Sequence, residues 1–235
     1  MNFGIFFDLD GTLADTALDL CYACNHTLEK WHLESVSYEE ICQSVSLGIK
    51  AMLSLRIGDN LLSQYPRDSL MRQEFLNFYN DNICTKTKSF PYALVLLKKL
   101  KESGFKIAVV TGKYHHLAIN LLDKLELLPF IDLVVGSDEC KKAKPAPDSL
   151  LLALKKLDIK AQNCIYIGDH ENDIKAADNC KMSSIAAAWG YGIYDCGDPK
   201  LWHATYVAND LSEVLDLVCH HFHGKCTQKS SNFLL

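Results

Sequence analysis

Two aspartates, Asp8 and Asp10, stand one residue apart where the apolar run of "FFDLDGTLADT" (6–16) gives way to a glycine. Like charges that close repel strongly in a desolvated setting, so a chain that places both at the end of a buried strand has a use for both. A single aspartate there could be an Asx turn closing the strand. The device recurs, however. "GDHENDIKAA" (168–177) sets Asp169 and Asp173 four residues apart at a helix start, hence on one face. Capping accounts for one of these, and the chain offers four carboxylates in all. Brought together they need a cation among them, and an all-oxygen ligand set suits Mg²⁺. Of the first pair, one carboxylate then holds the metal and attacks as a nucleophile, and the other moves protons.

These residues meet only if the elements carrying them end in one place. Short β-branched or aromatic runs occur at "FGIFF" (3–7), "KIAVV" (106–110), "IDLVV" (131–135), "CIYI" (164–167) and "SSIAAA" (183–188). Helical patterns over 92–103, 115–127, 147–158 and 171–180 separate them, which makes βαβ units. The expected fold class is α/β, a doubly wound parallel sheet with a Rossmann-like core, in which ligands bind outside the carboxyl ends of the strands. Residues 16–85 break the rhythm with helical patterns alone, over 16–32, 38–45, 48–57 and 67–83. The predicted organisation is therefore a core of residues 1–15 and 86–225, an all-helical insert over 16–85, and a C-terminal tail over 226–235. Thr16 with Asp19 reads as a capping box opening the insert, and "SFPYA" (89–93) as its exit, so that two chain crossings form a hinge.

Composition narrows the partners. With 24 Lys+Arg against 29 Asp+Glu, a formal charge of −5 and no basic stripe, the chain is a poor match for nucleic acid. No run of 18 apolar residues exists and "MNFGIFFDLDG" has no basic leader region, so no membrane span is expected and a cytoplasmic location is. Ten cysteines without a secretory signal read as buried thiols, and Cys21 and Cys24 share one apolar helix face with Leu20 and Leu28. The Cys/His-rich "CHHFHGKC" (219–226) fits no common zinc spacing and reads as a solvated extension.

In order along the chain, "DLDGT" (8–12), Thr111 after "KIAVV", Lys144 in "KAKPAPD" (142–148) and "GDHEND" (168–173) resemble the four motifs of the haloacid dehalogenase-like hydrolases. The resemblance implies roles. Asp8 would attack phosphorus to form an aspartyl-phosphate. Asp10 would protonate the leaving oxygen and then activate water. The Thr111 hydroxyl and the Gly112 N–H would bind the phosphoryl group, and Lys144 would neutralise charge beside it. Mg²⁺ would be held by Asp8, the Asp10 carbonyl and Asp169, with Asp173 in support. Two departures remove no catalytic group: His170 where Ser is frequent, read as a solvated loop residue, and Tyr92 where Gly is common.

The insert placed directly after the first motif resembles the C1-type cap of the phosphoglycolate phosphatase-like branch, as do "TGK" (111–113) and "AAAWGYG" (186–192). The resemblance implies a phosphatase acting on a small-molecule phosphomonoester, with 2-phosphoglycolate the leading candidate and Lys50 and Arg56 of the cap as contacts for its carboxylate. The alternatives are a sugar-phosphate mutase of the β-phosphoglucomutase type and a non-catalytic scaffold of the same fold. Phosphonate- or haloacid-cleaving relatives lack a carboxylate at the place of Asp10.

Overall fold

A computed structural model describes residues 3–58 and 70–222. Six parallel strands form one sheet: β1 (Gly4–Phe7), β4 (Lys106–Val110), β5 (Leu133–Val135), β6 (Cys164–Gly168), β7 (Ser183–Ala187) and β8 (Tyr206–Ala208), in the order β5-β4-β1-β6-β7-β8. All four residues of β1 are buried, as expected of a parallel strand covered on both faces. The side chains alternate between two cores. Ile5, Phe7, Ile107, Val109, Ile165 and Ile167 point to one face, under α5 (Ala93–Glu102), α6 (His115–Lys124) and α9 (Leu211–His221). Phe6, Ala108, Val110 and Tyr166 point to the other, under α7 (Asp148–Leu157) and α8 (Glu171–Asn179). Each fully buried Phe or Ile contributes about 1.5–3 kcal/mol. β1 lies between β4 and β6, so the order reverses there and the ends of these three strands border one crevice.

Between β1 and β4 the described chain carries α1 (Ala17–Lys30), α2 (Tyr38–Cys42), α3 (Ile49–Ile57) and α4 (Leu70–Asp81). The helix expected over 38–45 stops at Cys42 and continues as a short 3-10 turn over Val45–Leu47; part of the one expected over 67–83, and the whole tail over 226–235, lie outside the described residues. The two crossings between insert and core pair as an antiparallel ribbon, β2 (Ala14–Asp15) with β3 (Lys88–Ser89).

The capping box expected of Thr16 and Asp19 is not what opens α1. Thr16 makes no side-chain cap. The Tyr191 phenol oxygen instead accepts from the N–H groups of Thr16 (2.7 Å) and Ala17 (2.9 Å) and donates to Asp15 Oδ1 (2.6 Å). Asp19 is drawn to the other crossing. Its carboxylate accepts from the N–H groups of Lys86 and Thr87 and from the Thr87 hydroxyl (2.7 Å). A buried acceptor finds more donors there than at its own helix start.

Candidate active site

Three of the four chemistry-bearing motifs directly follow the end of a strand, and Lys144 comes from the loop between β5 and α7. Asp8 follows β1 and its N–H donates to the Ile167 carbonyl of β6 (2.8 Å). The chain then turns tightly, with the N–H groups of Thr12, Leu13 and Ala14 all donating to the Leu9 carbonyl. Gly11 makes this turn possible: its φ is +82°, and a Cβ there would stand 2.2 Å from Asp169 Oδ2. Asp169 follows β6 and is held by the Thr12 hydroxyl (3.0 Å) and the Tyr191 N–H (2.7 Å). Gly190 permits that approach as well, since a Cβ would meet Asp169 Cβ at 2.2 Å and the Gly11 carbonyl at 2.4 Å.

Asp8, Asp169 and Asp173 converge, each offering a carboxylate oxygen within 4.8 Å of the others. Their exposures are 9%, 1% and 1%. Lys144 bridges two of them, with Nζ 2.9 Å from Asp8 Oδ2 and 2.5 Å from Asp173 Oδ1. It also contacts the Tyr166 hydroxyl (3.0 Å), which donates to the Val110 carbonyl (2.8 Å). Burial alone would depress the Lys144 ammonium; Asp173 and Asp8 outweigh it and hold its pKa well above the ordinary lysine value. Burial is also what lifts the acids. It pushes Asp169 up to about 8, reinforced by Asp173 and Asp8, and Asp8 up to about 6 against the pull of Lys144.

One ammonium among three buried carboxylates leaves a surplus of negative charge, and all the donors are oxygen. That set fits a hard divalent cation. The Asp10 carboxylate is not among them. It turns to Lys113, Nζ to Oδ1 at 2.9 Å.

Thr111 follows β4 and is 2% exposed. Its Oγ1 accepts from the Lys113 N–H (3.1 Å). Thr111, Gly112, Lys113 and Lys144 line a cavity of about 350 Å³ with Asp8 and Asp10, roofed from the insert by Val45, Leu47, Lys50, Met52, Phe75 and Tyr79. Lys50 is thus at the cavity, and Arg56 is not. The Arg56 guanidinium is taken by both oxygens of Glu40 (2.9 and 2.8 Å) and by the Ser35 carbonyl. Arg56 therefore joins α3 to α2 rather than facing a substrate, because a bidentate carboxylate matches its planar fork.

His170 is a second correction: it is not solvated but 5% exposed. Its Nδ1 accepts from the Asn172 N–H (3.0 Å), which caps α8 and leaves the ring proton on Nε2, facing Asp195 Oδ2 (3.0 Å) and Cys196 Sγ (3.1 Å). Lys113, Tyr166 and Tyr191 are the site-forming side chains that sequence reasoning passed over. Tyr166 lies in the strand run "CIYI" and is itself a core residue whose hydroxyl alone serves the site, and Lys113 is visible only as the last letter of "TGK".

Residues 5–187 match the family model described as haloacid dehalogenase-like hydrolase. A phosphoglycolate phosphatase of Xanthomonas campestris pv. campestris (strain 8004) is 34% identical over 200 residues, 85% of this chain and 89% of that protein. Two solved structures share the fold. One, from Haemophilus somnus 129PT and called a predicted phosphoglycolate phosphatase, has a TM-score of 0.81 at 23% identity, covering 92% of this chain and 97% of that one. The other, a β-phosphoglucomutase from Clostridium difficile, has a TM-score of 0.78 at 22% identity, covering 97% and 100%. At those identities the likeness speaks for the fold alone.

Proposed function

The chain belongs to the haloacid dehalogenase-like hydrolases and is a phosphatase, and from that premise we propose that it hydrolyses a small phosphomonoester through an aspartyl-phosphate on Asp8. The observation that carries the reading is the convergence of Asp8, Asp169 and Asp173 around the Lys144 ammonium, with Asp8, Thr111 and Lys144 lining one cavity. The substrate proposed first is 2-phosphoglycolate, after the Xanthomonas relative, with Lys50 opposite its carboxylate.

In the first half-reaction an Asp8 oxygen bonds to phosphorus as the bond to the leaving oxygen breaks, and Asp10 gives that oxygen a proton. Asp10 then takes a proton from water, whose oxygen bonds to phosphorus; the Asp8–phosphorus bond breaks and inorganic phosphate leaves. The Thr111 hydroxyl and the Gly112 N–H hold the phosphoryl oxygens while Lys144 offsets charge between them and Asp8. Mg²⁺, which Asp8, Asp169 and the Asp10 carbonyl would hold with Asp173 in support, supplies neutralisation of the phosphoryl charge. The helical insert, read as a cap, excludes water from the cavity and contacts the leaving group.

The test is release of inorganic phosphate from 2-phosphoglycolate and p-nitrophenyl phosphate with and without Mg²⁺. Full activity in excess EDTA after metal stripping would contradict the metal assignment. Interconversion of a hexose 1-phosphate and its 6-phosphate in the presence of a bisphosphate primer would make the protein a mutase instead.

A further inference from the structure

Lys113 carries an ammonium that none of the steps above uses. Its Nζ lies 2.9 Å from Asp10 Oδ1, the two side chains being 6% and 15% exposed, and 4.6 Å from the centre of the Tyr79 ring. Its own N–H donates to Thr111 Oγ1, which fixes the backbone from which the side chain reaches. Asp10 belongs to the turn after β1, whereas Tyr79 belongs to α4 of the insert and is 2% exposed. One side chain thus touches both that carboxylate and the insert. α4 makes a second contact of the same kind with the roles exchanged. Arg72, seven residues before Tyr79 and so on nearly the same helix face, lies 5.9 Å from the Tyr114 ring centre and donates to the Tyr114 hydroxyl (3.2 Å).

We infer that Lys113 is a positioning residue for Asp10: it holds that carboxylate in one place in the site, and the Tyr79 ring of the insert holds Lys113 there. The inference rests on the phosphatase reading, in which Asp10 moves protons. Proton transfer needs heavy atoms within about 2.6–3.2 Å of each other, so a carboxylate free to rotate on a turn is in position only part of the time. The hydrogen bond from Lys113 to Oδ1, between two largely buried side chains, removes that freedom and leaves Oδ2 to carry the proton, and the face of the Tyr79 ring attracts the same ammonium. When the insert docks, Tyr79 completes the hold, which ties proton transfer to closure over the substrate. Lys113 needs no bond to the substrate for this and acts only through Asp10.

A double-mutant cycle separates these cases. Lys113→Met, Asp10→Asn and the double variant are assayed with Mg²⁺ on an alkyl phosphate and on p-nitrophenyl phosphate. Lys113→Met is expected to lower kcat for the alkyl phosphate on the order of 10- to 100-fold with little change in KM, and to add nothing in the Asp10→Asn background. With p-nitrophenyl phosphate it should give a burst of nitrophenolate equal to the enzyme present, because that leaving group needs no proton while the second half-reaction still needs Asp10 as base. Tyr79→Phe, which keeps the ring, should behave as the wild type, and Tyr79→Leu should reproduce part of the loss; the Tyr79 pair carries the test should Lys113→Met fail to fold. A raised KM with unchanged kcat, or a full additional loss in the Asp10→Asn background, would show that Lys113 touches the substrate directly and overturn the inference, as would full activity of Lys113→Met. A wild-type protein that releases no phosphate from any phosphomonoester overturns the phosphatase reading itself, and this inference with it.

Discussion

Asp8 and Asp169 hold their protons more tightly in the folded chain than in the unfolded one, because burial lifts them to about 6 and about 8 from an ordinary value of 3.8. A group raised in this way contributes most to stability below its unfolded value, and the contribution is lost as the pH rises through the folded value. The protein in EDTA should therefore melt at a lower temperature at pH 8 than at pH 6, and Mg²⁺ should raise Tm more at pH 8, where Asp8 is ionised and Asp169 has begun to lose its proton. Equal Tm increments at the two pH values would contradict this. Asp8→Asn should abolish turnover and leave Tm unchanged or higher, since an amide removes the proposed nucleophile and one of the crowded charges while still accepting from Lys144. Near wild-type activity of that variant would remove the aspartyl-phosphate from the mechanism. Both carboxylates were legible in the sequence because they follow a strand run directly and recur as a pair. The partner of Asp10 was not, because Lys113 lies 103 positions away and only the sheet brings the two together.

α3 shows how one helix can serve two ends. Lys50, in its first turn, reaches the cavity, and Arg56, near its last, is clamped to α2 through Glu40. Lys50→Met should depress kcat/KM for 2-phosphoglycolate at least about tenfold more than for p-nitrophenyl phosphate, since only the former presents a carboxylate. Arg56→Met should leave kcat/KM unchanged for both and lower Tm. A uniform loss across the two substrates in Lys50→Met would detach that lysine from recognition. The start of α1 offers a stability test. Tyr191→Phe strips two buried N–H groups of their acceptor and should cost about 1–3 kcal/mol in a urea titration, whereas a loss within a few tenths would mean that water replaces the phenol. Longer elements with clear periodicity were readable from sequence. β2, β3 and β8, of two, two and three residues, were too short to carry a period-2 pattern and exist through pairing with partners far along the chain.

Across the whole molecule, the alternation of strands and helices beyond residue 90 is what made the doubly wound sheet legible, since consecutive apolar strands joined by amphipathic helices have few other ways to bury both faces. The placement of the insert over the strand ends was legible only by resemblance, because nothing local in α1 to α4 says which way they face. The ribbon of β2 and β3 carries a last consequence. The chain leaves the core at Ala14–Asp15 and returns at Lys88–Ser89 in direct antiparallel register, so the insert begins and ends at the same point in space. A segment attached in that way is a cassette: the sheet closes identically whether the loop between those residues is long or short. Selection on what the helices present can then proceed without rerouting the strands that hold Asp8, Thr111 and Asp169, and swapping this segment for that of a relative is the natural unit of exchange when a new leaving group is sought.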